Sequence, residues 1–188
     1  CAAIGGNHFI HAARRNIDIT TIVMNNNIYG MTSGQYSPTT PHGMLGTTAP
    51  YGNVEYAFDL CELAKAAGAT YVARATSYHV TLLEDLIEKA LQNKGFSVVE
   101  AMTQCPTYFG RKNKIGSAVE LLNWIKDGTI NVKAAAALPP EKREGKILIG
   151  ELHRTERPEF TASYLEMTSK VQRTYNDYKG GNRGCELN

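Results

Sequence analysis

The sequence has no apolar run approaching the roughly 20 residues that a helix needs to cross a bilayer, and no basic segment followed by an apolar core in the manner of a secretory leader. It has almost no excess of charge. Lys and Arg number 20 against 18 Asp and Glu, so nothing marks it as a binder of nucleic acid or of an anionic membrane surface. Cysteine is sparse and scattered, at positions 1, 61, 105 and 185. No two are close enough for a C-x-x-C metal clip, and this is no disulfide scaffold, so a reducing cytoplasm is the expected compartment. An initiator methionine is also lacking. The chain opens at Cys1 in glycine-rich sequence and reads as the later portion of a longer protein.

What is present suits a globular domain. The 188 residues, 43% of them hydrophobic, allow one domain with a sizeable core, or one domain plus an extension. Residues 7–15 read as a helix with Phe9, Ala12 and Ala13 on one face, ended by Asn16. The β-branched run 18–24 reads as a parallel strand covered on both faces. Residues 29–53 carry five glycines and three prolines without periodicity, and a loop of that length in a compact domain is usually functional.

A helix follows at 59–68, closed by Gly68, then a strand at 70–75 and a helix at 80–92, with Thr81 and Glu84 spaced for a capping box. Leu83, Leu86, Ile87, Ala90 and Leu91 line one side of that helix. A strand occupies 96–102. This alternation predicts an α/β fold, a mostly parallel sheet with helices on both faces. Beyond Cys105 the pattern weakens to a short helix at 117–126, a turn or linker at 134–140, a strand at 146–152, a last helix around Tyr164 to Tyr175 and a frayed end.

The stretch I-V-M-N-N-N-I-Y-G-M-T-S-G-Q-Y at 22–36 poses the functional question. In open parallel sheets ligands bind beyond the carboxyl ends of the strands. The Asn26 side-chain oxygen and the Ile28 carbonyl are neutral hard donors two residues apart, suited to Mg²⁺, while Gly30 and Gly34 let backbone N–H groups approach a phosphate. Three asparagines after a strand also make an ordinary turn. Local composition leaves both readings open.

Residues 3–41, from A-I-G-G-N-H-F-I-H-A-A-R-R through N-N-N-I-Y-G-M-T-S-G-Q-Y-S-P-T-T-P, resemble the β subunit of 2-oxoacid:ferredoxin oxidoreductases, most closely the 2-oxoglutarate branch. The likeness is strong over 1–110 and looser beyond. It implies a thiamine diphosphate-binding fold, incomplete at the N-terminus because the G-D-G-D motif of the family would precede Cys1. It implies a binding domain ending near residue 110 and an extension over 111–188 packed on it.

By the same resemblance Asn26 and the Ile28 carbonyl hold Mg²⁺, Gly30, Met31 and Thr32 border thiamine diphosphate, and Cys105 in Q-C-P-T is the last ligand of a [4Fe–4S] cluster. The implied reaction is oxidative decarboxylation of a 2-oxoacid to acyl-CoA and CO₂. The implied partners are an α subunit, ferredoxin, the 2-oxoacid and coenzyme A. The same chemistry on pyruvate, branched-chain or aryl 2-oxoacids is an alternative, as is an assembly module that is non-catalytic when isolated. Many relatives read T-G-G-Q where this chain reads T-S-G-Q, with Ser33, which bears on substrate preference.

Among other residues, His8 and His11 lack a third ligand nearby, and His8 is placed near the diphosphate end or on a backbone partner. His42 lies in the long loop. Arg14 and Arg15 suit a solvated helix end. Tyr29 reads as a loop anchor and Cys61 as a packing residue. Cys185 reads as a free thiol, and Cys1 carries no assigned chemistry.

Overall fold

The computed structural model describes residues 3–181, and Cys1 and Cys185 lie outside that range. A five-stranded sheet is built from β1 (Thr20–Asn25), β4 (Tyr71–Thr76), β5 (Ser97–Met102), β6 (Thr129–Asn131) and β7 (Ile147–Arg154), in the order β1-β5-β4-β7-β6. In this sheet β1 and β4 run parallel to β5, β6 runs parallel to β7, and β4 and β7 pair antiparallel. The sheet is therefore mostly parallel, as expected for alternating strands and helices.

Helices α1 (Gly6–Arg15) and α2 (Leu60–Ala67) cover one face, packing Phe9, Ala13, Cys61 and Ala64 on Val72 and Val98. Helix α3 (Val80–Gln92) covers the other, with Leu86 and Ala90 on Tyr71, Ala73 and Val99. β4 and β5 are buried at every position, which is why they read as continuous apolar runs.

Each helix end has its own chemistry. Asp59 caps α2 by accepting from the N–H groups of Cys61 and Glu62, and Gly68 closes it at a left-handed φ of 96°. At α3 the expected capping box is absent: His79 is the N-cap and makes no side-chain cap bond. The box instead sits at α4 (Ala118–Asp127), where Ser117 and Glu120 bond reciprocally. Leu91 is exposed, since only the Leu86 and Ala90 side of α3 meets the sheet.

Two expectations for strands and linkers are corrected. β1 lies at the edge of the sheet among the described residues, and Ile22 and Met24 are 43% and 66% exposed, so it is not covered on both faces. The alanine- and proline-rich segment expected to be a linker holds two short helices, α5 (Val132–Ala136) and α6 (Pro140–Arg143). Alanine favours a helical turn wherever the chain can cap it, and Asn131 does so by accepting from the Lys133 N–H. The last helix, α7 (Phe160–Gly181), runs 22 residues.

Asn16 ties these layers together. It ends α1 at a left-handed φ of 52° and is almost wholly buried. Its amide oxygen accepts from the Phe96 N–H at 2.9 Å and the Thr70 hydroxyl at 3.1 Å, while its NH₂ donates to the carbonyls of Arg157 and Pro158. A Cβ on Gly95 would fall 2.2 Å from that oxygen, which reserves the position for glycine.

The loop after β1 folds back as a hairpin, β2 (Ile28–Tyr29) against β3 (Gln35–Tyr36). At its tip Ser33 adopts φ 88°, a conformation that suits glycine. Asn16→Ala should cost about 3 kcal/mol in urea unfolding, the scale of stranding several buried donors and acceptors. Ser33→Gly should raise stability by roughly 0.5 kcal/mol in the same assay, the relief of left-handed strain being partly offset by added freedom of the unfolded loop.

Candidate functional site

The carboxyl end of β1 opens into a turn braced by its own asparagines. Asn25 Oδ1 accepts from the Asn27 N–H at 3.0 Å, and Asn26 Oδ1 accepts from the Ile28 N–H at 3.3 Å. Asn27 takes the left-handed conformation, φ 62°, which asparagine tolerates. The Ile28 carbonyl then accepts from the Gly30 N–H at 3.1 Å.

The Asn26 amide oxygen and the Ile28 carbonyl thus belong to one turn, and each oxygen keeps a second lone pair. Such neutral oxygens fit a hard divalent cation that takes its remaining ligands from phosphate, water or a carboxylate. Among the described residues no group of three His, Cys, Asp or Glu side chains is placed to hold a metal. His8 and His11 are both exposed on α1.

A short polar segment braces the turn from behind. Thr39 Oγ1 donates to Asn25 Oδ1 at 2.8 Å, and Thr40 Oγ1 donates to the Asn27 carbonyl. Ser37, Thr39 and Thr40 are buried, so their hydroxyls act as internal fasteners of the loop. No periodic pattern marks them, and the composition of 37–40 signals only a turn.

Gly30 sits where the turn, the hairpin and the end of β5 converge. A Cβ there would lie 3.1 Å from Cys105 Sγ and 3.5 Å from Asn26 Nδ2. Gly34 presses on the Tyr108 ring, where a Cβ would come within 2.7 Å. Tyr108 belongs to a π-helical turn at Pro106–Gly110, directly after Cys105. Asn26 and Gly30 therefore share one small region with Cys105, which is distant in sequence. Met31 and Thr32 are exposed at the hairpin tip, Thr32 donating to Gln35 Oε1 at 2.7 Å.

Beneath the turn lies a buried charge cluster that the sequence reading missed. Arg74 Nε donates to Glu100 Oε2 at 2.6 Å, and Arg74 Nη2 to Asp59 Oδ1 at 2.5 Å. Glu100 Oε1 accepts from Asn25 Nδ2 at 2.7 Å. The signal was a single charge in each of two apolar strands, Arg74 in T-Y-V-A-R-A-T and Glu100 in F-S-V-V-E-A-M, and these two are register partners.

Burial pushes the Asp59 carboxyl up, but the Glu62 N–H and the Arg74 charge outweigh it and hold it below the ordinary carboxylate range. Burial raises the Cys61 thiol well above its usual range, so Cys61 is a packing residue, as expected. A cavity of about 380 Å³ adjoins the cluster, lined by Asn25, Asn27, Phe58, Arg74, Glu100 and Trp124 among others.

The remaining candidates fall away from this region. His42 is exposed and stacks on Tyr56 with ring centroids 5.0 Å apart. Arg14 and Arg15 are exposed at the end of α1, as expected. The Tyr29 side chain is 42% exposed, and it is the backbone of Tyr29 that engages the hairpin, through its carbonyl and the Gly34 N–H.

Comparison with known proteins bears on this geometry. The chain is 58% identical over 158 residues to the 2-oxoglutarate synthase subunit KorB of Methanothermobacter marburgensis, covering 84% of this chain and 55% of that protein. It is 50% identical over 171 residues to the 2-oxoglutarate synthase subunit KorB of Methanocaldococcus jannaschii, covering 91% and 63%. The chain thus spans little more than half the length of these relatives.

A solved structure, 2-oxoglutarate:ferredoxin oxidoreductase from Magnetococcus marinus with 2-oxoglutarate, coenzyme A and succinyl-CoA bound, superposes with a TM-score of 0.77 at 30% identity, over 90% of this chain and 58% of that one. Residues 1–101, which include the asparagine turn, Gly30 and Glu100, match the model of the thiamine pyrophosphate enzyme C-terminal TPP-binding domain. The chain belongs to the family of thiamine pyrophosphate enzymes, through their C-terminal TPP-binding domain.

Proposed function

We propose that this chain is the C-terminal portion of the β subunit of a cytoplasmic 2-oxoglutarate:ferredoxin oxidoreductase. In this reading the residues up to about 110 complete a thiamine diphosphate site, and the described residues beyond them add β6 and β7 to the same sheet. The observation that carries the proposal is the convergence of Asn26, the Ile28 carbonyl, Gly30 and Cys105 at the carboxyl end of the sheet. The names of the relatives supply the substrate and the subunit role.

Asn26 Oδ1 and the Ile28 carbonyl would hold Mg²⁺, which anchors the diphosphate. Gly30, lacking a Cβ, leaves room for Cys105 Sγ and the Asn26 amide. Met31 and Thr32 on the exposed tip would border the cofactor and substrate. Thiamine diphosphate, when bound, supplies the electron sink for decarboxylation of the 2-oxoacid. Cys105 would ligate a [4Fe–4S] cluster and so place the electron acceptor beside the cofactor loop. An α subunit, ferredoxin and coenzyme A complete the reaction.

Two measurements test this. Calorimetric titration of the assembled enzyme with thiamine diphosphate and Mg²⁺ should show binding weakened at least about tenfold in Asn26→Ala, since one metal donor is lost; unchanged binding would return the asparagines to a plain turn. Cys105→Ser should lose the visible absorbance of a [4Fe–4S] cluster while the protein remains folded. A cluster retained in full would remove Cys105 from the ligand set.

A further inference from the structure

We infer that Glu100, anchored by Arg74, is a positioning residue for the metal turn: it dictates which way the Asn25 amide points. The inference rests on the reading of Asn26 and Ile28 as metal donors and concerns what holds them in place. Glu100 is almost wholly buried, and its two oxygens are divided between different donors. Oε2 accepts from Arg74 Nε and from the Cys61 thiol, at 2.6 and 3.5 Å, while Oε1 accepts from Asn25 Nδ2 at 2.7 Å.

A carboxylate has no hydrogen to give, so only the NH₂ of Asn25 can face it. That leaves Asn25 Oδ1 on the opposite side, where it accepts from the Asn27 N–H and the Thr39 hydroxyl. Flipping the amide would set a donor against the Asn27 N–H and an acceptor against Glu100. One buried carboxylate thereby imposes a hydrogen-bond polarity running from β4 through β5 and β1 into the turn that carries Asn26 and Ile28. Arg74 Nε fixes Glu100 Oε2 in place, and Asp59 holds the other end of the guanidinium.

The polarity gives the inference a distinctive test. In Glu100→Gln the new amide must present its NH₂ either to Arg74 Nε or to Asn25 Nδ2, donor against donor in both cases. In Asn25→Asp two carboxylates confront one another. The double variant Asn25→Asp/Glu100→Gln reverses the single bond between the two side chains. The glutamine then donates across to the aspartate and still accepts from Arg74, while the aspartate still accepts from the Asn27 N–H and Thr39. Net charge is unchanged from the wild type. A role in bulk packing predicts no such rescue.

The experiment is calorimetric titration of Mg²⁺ and thiamine diphosphate into the assembled enzyme, with melting temperatures recorded in parallel and Asn26→Ala as the reference. Each single variant should bind about tenfold more weakly, and the double variant should return to within roughly threefold of wild type, a coupling between neighbours of the kind such cycles detect. Single variants that bind normally while Asn26→Ala does not would overturn the positioning role and leave the metal site standing, as would a double variant no better than its parents.

Normal binding by Asn26→Ala would remove the site and the positioning role together. Should Glu100→Gln fail to fold, Thr39→Val serves instead. It removes one restraint on Asn25 Oδ1 and one contact with Ser37 without touching the ion pair, so binding should weaken severalfold with a slightly lower melting temperature, and full affinity would overturn the inference.

Discussion

A carboxylate buried in the middle of a β-sheet is the constraint on which the rest of this structure depends. Removing Glu100 from water carries a desolvation cost of several kcal/mol, offset only when its lone pairs are all used. The fold meets that demand by placing Arg74 at the paired position of the neighbouring strand and Asn25 at the end of the next. Breaking a pair of this kind by removing one partner typically costs about 3–5 kcal/mol. Register in the sheet is thereby specified by polarity as well as by apolar packing, because a slip of one residue would carry Glu100 to the α3 side, away from Arg74.

From that pair the order spreads outward. Asn25 passes it to the turn, the turn to the hairpin, and the buried hydroxyls of Ser37, Thr39 and Thr40 lock the returning loop. The long glycine-rich segment is thus a structured element stitched by side chains that bond to backbone, which is how a loop without regular structure keeps its polar groups satisfied. Under the proposed function, donors on such a loop would gain their precision from the sheet beneath, the arrangement expected of a preorganised site. Asn16 does the same work at the opposite end of the sheet, joining α1, β4, β5 and the start of α7 through one amide.

Much of this was legible in the sequence. The end of α2 follows from Gly68, and the extent of α3 and the alternation of β4, α3 and β5 follow from periodicity. The asparagine turn and Gly30 follow β1, where the strand was expected to end. Other features were hidden for physical reasons. Strand composition reports apolar character but not neighbours, so β1 read as a covered strand although it lies at an edge, and the antiparallel sense of β7 had no local signature. The capping motif at Thr81 and Glu84 lost to His79, because a motif records compatibility and not use. The Thr39 and Thr40 fasteners depend on contacts between residues 14 and 13 apart, which no local pattern encodes. The contact of Gly30 with Cys105 spans 75 positions and needs the fold itself.

The proposed function makes Asn26 and the Ile28 carbonyl metal donors for a diphosphate. The most direct test is a crystal structure of the assembled enzyme grown with thiamine diphosphate and Mn²⁺ in place of Mg²⁺, with the metal located by its anomalous signal. The account predicts one peak at about 2.1–2.3 Å from both Asn26 Oδ1 and the Ile28 carbonyl, shared with diphosphate oxygens. Bound cofactor with the metal elsewhere, or with Asn26 still turned onto the Ile28 N–H and away from the ion, would contradict it.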